Sequence, residues 1–309
     1  MFKISGVYCA SLTPVNNDLS INNDLYLRHC QSLMHKGLDG LTLFGTNGEA
    51  SSFSIDQKKE AIQFLLNNKI DPKILLPGTG ASSLQDAINM TKFCVEIGTK
   101  AVLVLPPYYF KNVSDDGIIK YYRNVIEESG DNNFKFLLYN IPQHSGVTIS
   151  FSIIETLLKL YPNNVVGMKD SSGDLDNMLK ITKFFSGFSL FSGSDSLALK
   201  VMKHGGAGAI TASSNISGKL LSFIINNYKK ESSIKNFQEL QLLQEHIRHT
   251  LFSQEPISVL KGYMAVRYDK QEWNRLNPPL HKIDNPHSNK VIINLLELIK
   301  KIDELIPTS

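Results

Sequence analysis

The chain has 309 residues, of which 42% are hydrophobic and 20% charged, and its net charge is +3. Such a composition supports one large α/β domain or two ordinary ones; it excludes a disordered or collagen-like chain. The lysines are scattered, so no run forms a nucleic-acid or membrane-surface patch. Cys9, Cys30 and Cys94 are far apart and form no C-x-x-C pair. They argue against a disulfide framework and against structural zinc, so no metal is expected and a reducing compartment is favoured. The apolar run within Met1 to Pro14 is short for a signal peptide, and none reaches membrane-spanning length. A cytoplasmic location is therefore expected.

Strand-like runs recur along the chain with helical patterns between them. Gly6 to Leu12 is the first strand, followed by a helix from Asn23 to Lys36 that Gly37 stops. Gly40 to Phe44 is the second strand, ending in Gly45-Thr46-Asn47-Gly48-Glu49. A helix over Ile55 to Asn67 follows, with Ser54 as its N-cap. Lys73 to Pro77 reads as the third strand, Ser83 to Ile97 as a helix, and Lys100 to Leu105 as the fourth strand. Helix Asp115 to Ser129, strand Lys135 to Tyr139 and helix Phe151 to Leu160 come next. Val165 to Lys169 is the sixth strand, Leu175 to Phe185 a helix, Phe188 to Phe191 the seventh strand, Leu197 to His204 a helix and Ala207 to Thr211 the eighth strand.

Eight strands separated by helices, at spacings of roughly 25–35 residues, predict parallel βαβ units. Eight units in about 230 residues fit a closed (β/α)8 TIM barrel. The competing architecture is a doubly wound open sheet, which would carry a phosphate-binding G-x-G-x-x-G after its first strand; Leu12-Thr13-Pro14-Val15-Asn16 is nothing like one. Strand signals cease near Leu220, and Lys235 to Leu251, Pro256 to Tyr268 and Asn289 to Leu305 read as helices. The expected organisation is a barrel over 1–225 carrying the active site, with a C-terminal helical appendage over 226–309.

In such a barrel the catalytic groups belong at the C-terminal ends of the strands. The polar residues there include Thr46, Asn47, Tyr108, Tyr109, Tyr139, Lys169, Gly193, Ser194, Asp195 and Thr211. Lys169 ends an apolar strand, where lysine is rare unless paired or used. A desolvated lysine among tyrosines and hydroxyls describes a Schiff-base site with a hydroxyl proton relay. A lysine past the strand end with its head in solvent is the plainer alternative. His246 and His249 stand one turn apart on a helix without further ligands, as expected of a solvated face.

Gly45-Thr46-Asn47-Gly48-Glu49, Tyr139-Asn140-Ile141-Pro142 and Gly167-Met168-Lys169-Asp170, in this order and spacing, resemble the dihydrodipicolinate synthase / N-acetylneuraminate lyase family of pyruvate-dependent class I aldolases. The resemblance runs over nearly the whole chain. It implies that Lys169 forms the Schiff base with pyruvate or another 2-oxo acid, and that no cofactor is needed beyond that imine. It implies that Tyr139 shuttles the proton, that Thr46 hydrogen-bonds Tyr139, and that amides around Thr46 and Asn47 hold the pyruvate carboxylate at a helix N-terminus. By the same resemblance Tyr109 crosses into a neighbouring subunit's site, which implies a homo-oligomer, commonly a tetramer built as a dimer of dimers. Ile210 packs on the pyruvate moiety, and Gly193 permits close backbone approach.

The branch of the family turns on the far side of the pocket. The lysine-biosynthesis synthases carry an arginine two residues after their Tyr-Asn-x-Pro motif; here His144 stands there. A neutral histidine cannot replace the bidentate guanidinium fork. Thr46-Asn47 also stands where that branch has two threonines. Asp195 and Ser171 match positions that sugar-acid lyases use on substrate hydroxyls, although the glutamate expected after that aspartate in sialic acid lyase is Ser196 here. The preferred expectation is reversible cleavage of a 2-oxo-3-deoxy sugar acid to pyruvate and an aldehyde. The alternatives are 4-hydroxy-tetrahydrodipicolinate synthesis from pyruvate and aspartate semialdehyde, a sugar-acid dehydratase on the same imine chemistry, and a non-catalytic protein that senses a 2-oxo acid.

Overall fold

A computed structural model describes residues 3–306. The ends of the two expected segments, residues 1–2 and 307–309, lie outside the described residues. Seven strands form one all-parallel sheet: β1 (Gly6–Ala10), β2 (Gly40–Thr42), β3 (Val102–Val104), β4 (Phe136–Asn140), β5 (Val165–Asp170), β6 (Ser189–Ser192) and β7 (Gly208–Thr211). Their order is β2-β1-β7-β6-β5-β4-β3. Among the described residues twelve helices accompany them: α1 (Asn23–His35), α2 (Ile55–Asn67), α3 (Leu84–Glu96), α4 (Asp115–Glu127), α5 (Pro142–Ser145), α6 (Phe151–Leu160), α7 (Leu175–Phe184), α8 (Asp195–Lys203), α9 (Ser214–Asn227), α10 (Phe237–Leu251), α11 (Pro256–Tyr268) and α12 (Lys290–Leu305).

The expected third strand, Lys73 to Pro77, is corrected by the structure. Asp71 caps a 3-10 turn over Pro72–Ile74 by accepting from the Lys73 amide, so the first half of the run coils. Only the part after it is extended. Leu75 bridges Leu41 and Gly78 bridges Leu103, each in parallel sense. The Leu76 and Gly78 amides donate to the Leu41 and Leu43 carbonyls, both at 2.8 Å, and the Leu103 amide donates to the Pro77 carbonyl at 2.9 Å. Pro77 has no amide to offer the ladder, which cuts the strand short. This segment nonetheless joins β2 to β3, and the fold is a (β/α)8 barrel with one irregular stave. Gly78 is required there, because a Cβ would stand 2.3 Å from the Phe44 carbonyl oxygen.

Strand alternation sorts the side chains into two layers. On β4, Phe136 and Leu138 face the helices, whereas Leu137 and Tyr139 face the barrel interior with Tyr8, Leu103, Phe191 and Ile210. Each large apolar side chain buried this way contributes about 1.5–3 kcal/mol. The helices begin where the sequence provides caps. Ser54 accepts from the Gln57 amide and the Gln57 side chain answers to Ser54, a complete capping box on α2.

Helices α10 to α12 share a third core with α9, in which Leu12 and Leu25 of the barrel also take part. Trp273 and Tyr263 are buried in it. The C-terminal helices are thus packed against the start of the barrel, near the mouth at which β1 ends. Among the described residues no helix is long and apolar enough to cross a membrane.

Candidate active site

β4 and β5 are paired in a register that sets Tyr139 directly beside Lys169. Both side chains point inward and are almost fully buried. The Lys169 Nζ donates to the Tyr139 hydroxyl at 3.3 Å and lies 4.4 Å from the centroid of its ring. The Tyr139 hydroxyl also meets the Thr46 Oγ1 at 3.2 Å. Three residues from three strand ends therefore form one hydrogen-bonded line, Thr46–Tyr139–Lys169.

Thr46 sits in a tight turn after β2. The amides of Gly48, Glu49 and Ala50 close this turn onto the carbonyls of Gly45 and Thr46, at 3.1–3.3 Å. The element that follows is a single 3-10 turn, Ala50–Ser52, and not the start of α2. The expected helix N-terminus at Thr46 and Asn47 is consequently a folded turn.

A cavity of about 380 Å³ opens at this mouth. Thr46, Glu49, Lys58, Tyr108, Tyr139 and His144 are among its walls, and Leu280 reaches it from the C-terminal region. His144 stands on the short helix α5, an element that sequence periodicity did not reveal because it spans only four residues. The structure brings Ile210 into the barrel interior beneath Tyr139. Gly193 and Ser171 lie against each other: a Cβ on Gly193 would stand 2.0 Å from the Ser171 Oγ, and the Gly193 amide donates to the Asp170 carbonyl at 2.7 Å. The Ser171 carbonyl accepts from the Gln143 side chain at 2.8 Å, tying the β5 end to α5.

Of the expected site residues, Thr46, Tyr139 and His144 line this cavity; Lys169, Asn47, Gly193, Ile210 and Ser171 are not among its walls, and Asp195 and Tyr109 lie away from it. Asp195, in the first turn of α8, is buried and its Oδ2 lies 3.5 Å from Arg248 Nη1 of α10. It lines a separate cavity of about 250 Å³ instead. Tyr109 is exposed, packed edge-on against the equally exposed Phe110 at 5.3 Å between ring centroids. Its neighbour Tyr108 is the one that lines the cavity. His246 and His249 are exposed on α10, and no group of three or more His, Cys, Asp or Glu among the described residues could hold a metal ion.

Sequence reasoning missed Glu49, Lys58 and Lys261. Glu49 lay within the quoted motif but carried no role. Lys261 is fully buried on α11, a helix apolar around nearly its whole circumference, and it pairs with Glu49. A lysine in such a helix is itself the signal, since lysine is almost never fully buried unless paired.

Lys58 of α2 is only 8% exposed. Burial pulls its ammonium down to about 8, and Asp86 across the cavity opposes this. The unfolded chain therefore binds the proton more tightly than the folded one, and folding is penalised below the folded value. Lys58→Met is expected to stabilise the protein at pH 7 by about 3 kcal/mol. The gain should fade as pH rises from about 8 to 10.5, where both states lose the proton. Urea denaturation of parent and variant at the two ends of that window measures it; an equal difference at both ends would contradict the cause.

A parallel barrel with a buried lysine hydrogen-bonded to a phenol at its C-terminal mouth defines the class of Schiff-base, carbon–carbon lyases. The family model described as the dihydrodipicolinate synthetase family matches residues 3–297, and the chain belongs to that family. It is 30% identical over 235 residues to an uncharacterized DapA-like lyase of Chloroflexus aurantiacus, covering 76% of this chain and 78% of that one. It is 28% identical to a 4-hydroxy-tetrahydrodipicolinate synthase of Methanococcoides burtonii, covering 94% and 97%. Its fold matches a prophage protein of the dihydrodipicolinic acid synthase family from E. coli K12, solved in complex with pyruvate. The TM-score is 0.83 at 20% identity, covering 98% of this chain and 99% of that one.

Proposed function

We propose that this protein cleaves a 2-oxo-3-deoxy sugar acid reversibly to pyruvate and an aldehyde, through an imine on Lys169. The carrying observation is the line Thr46–Tyr139–Lys169 at the cavity mouth. The Lys169 amine adds to the substrate's C2 carbonyl and water leaves, giving the imine. As that water leaves, the Tyr139 hydroxyl gives it a proton and the iminium forms; the resulting phenolate then takes the proton of the C4 hydroxyl, the C3–C4 bond breaks, and the electron pair moves into the iminium to give an enamine and the free aldehyde. Protonation at C3 and hydrolysis release pyruvate. Thr46 holds the phenol in line, and the turn amides of Thr46 and Asn47 hold the carboxylate. Ile210 and Gly193 shape the floor. The imine is the only cofactor-like species required.

His144 on the cavity wall supports the sugar-acid branch, because the cavity offers no guanidinium fork at that position. Ser171, just past the end of β5, is the candidate contact for a substrate hydroxyl, and Asp195 would have to leave Arg248 to serve as another. The exposed Tyr109–Phe110 pair fits a place against a second copy of the chain, as a dimer of dimers would provide. A second reading, 4-hydroxy-tetrahydrodipicolinate synthesis, is favoured by the name of the Methanococcoides relative. The dehydratase alternative uses the same imine.

Pyruvate release from a panel of 2-oxo-3-deoxy sugar acids tests the assignment. Turnover of at least one, with poor condensation of pyruvate and aspartate semialdehyde, is the expected result. Efficient condensation with aspartate semialdehyde and no sugar-acid cleavage would overturn it.

A further inference from the structure

Glu49 and Lys261 are both buried with no side-chain exposure, 212 residues apart by their numbers (261 − 49), and their charged ends meet. Lys261 also donates to the Arg275 carbonyl at 2.9 Å, and the other Glu49 oxygen accepts from the Asn277 amide at 2.9 Å. The pair therefore clamps the segment around Arg275–Asn277, and Leu280 just beyond it forms part of the cavity wall. Two opposite charges taken out of water are costly to keep unless their geometry is held on several sides, as it is here.

On the barrel side, Glu49 adopts a left-handed backbone, φ +53°. A residue with a side chain keeps that conformation only when its surroundings impose it. In that conformation the Glu49 amide donates to the Thr46 carbonyl at 3.1 Å. The Thr13 hydroxyl fixes the intervening Gly48 carbonyl at 3.0 Å. A continuous line of contacts then runs from α11 to the reacting amine: Lys261, Glu49, Thr46, Tyr139, Lys169.

We propose that the buried Glu49–Lys261 pair is a positioning device for the Thr46 hydroxyl, through which the C-terminal helices set the geometry of the Tyr139 relay. Neither residue touches substrate carbons in this role. The inference rests on the Schiff-base reading above, but it needs no knowledge of the aldehyde. Pyruvate alone suffices as probe, because imine and enamine formation exchanges its methyl protons with solvent.

The experiment follows deuterium exchange into pyruvate in D2O by NMR, with borohydride trapping of the imine and thermal unfolding recorded on the same full-length samples. Glu49→Gln and Lys261→Met are expected to slow exchange roughly 10²-fold, as a misplacement near 1 Å does. Adduct trapped at saturating pyruvate should stay near parent levels, since the lysine is intact. In Thr46→Val the same second substitution should cost almost nothing further, because both act through one hydroxyl. If a single variant does not fold, Glu49→Gln with Lys261→Met removes both charges together and carries the same expectation. Folded variants exchanging within about twofold of parent, or losses that multiply with Thr46→Val, would overturn the proposal. A parent protein that neither traps nor exchanges pyruvate would instead sink the Schiff-base reading, and this inference with it.

Discussion

Lys169→Ala is expected to lose the borohydride-stable pyruvate adduct completely and to lower turnover on the order of 10⁴-fold or more, because it removes the one amine that lies against the Tyr139 hydroxyl as covalent nucleophile. Lys58 lines the cavity, but it stands on α2, outside the barrel interior. The fold has little to lose. The Lys169 amine makes one hydrogen bond, to Tyr139, from an almost fully buried position. Thermal midpoints of parent and variant should therefore agree within a few degrees or favour the variant, as often holds where a functional group is buried at some cost to stability. Intact mass after borohydride, with a melting curve, decides the matter. An adduct that persists in the variant would move the nucleophile elsewhere. A collapsed melting curve without parent adduct would return Lys169 to the plainer role of a structural strand-end lysine.

Sequence patterns carried the architecture well, for reasons that lie in particular residues. Parallel strands buried on both faces read as short apolar runs, and Val165 to Met168 or Phe136 to Leu138 show no alternation that could confuse them with an exposed antiparallel strand. Gly37, Gly98 and Gly205 all take positive φ just past helix ends, which is why they punctuate the pattern so clearly. The run Lys73 to Pro77 misled because its hydrophobicity is strand-like while its hydrogen-bonding capacity is not. Asp71 and Pro72 start a turn, and Pro77 withholds an amide. Periodicity senses burial; it does not sense donors.

The site divides along the same line. Thr46, Tyr139 and Lys169 stand at strand ends, so counting strands was enough to bring them to one mouth. Direction was not legible. Asp195 follows β6 as a mouth residue should, yet it turns to Arg248, and that choice depends on a helix more than fifty residues later. Glu49 and Lys261 were invisible as a pair for the same reason. No local pattern links a turn after β2 to a helix beyond the barrel, and only the packing of α11 against the barrel mouth brings the charges together. Residues whose role depends on a distant partner escape a reading built from local periods.

Tyr139→Phe separates the two chemical steps that Lys169→Ala abolishes together. The ring keeps its place in the apolar barrel interior that it shares with Leu137 and Ile210, so packing is nearly conserved. Only the hydroxyl goes, and with it both the 3.3 Å contact to Lys169 and the 3.2 Å contact to Thr46. The nucleophile remains, so pyruvate should still be trapped on Lys169 by borohydride, more slowly but to the same final extent. Turnover should fall about 10²–10⁴-fold, the range that a positioned general acid–base supplies. Adding Thr46→Val to Tyr139→Phe should then change little, because the threonine hydroxyl no longer has a phenol to hold. Trapping rate, turnover and the double-variant comparison measure three different bonds. A Tyr139→Phe enzyme with near-parent turnover would show that the proton travels by another route. One that cannot form the adduct at all would show that the phenol is needed for the attack itself, and that carbon–carbon cleavage is not the step it governs.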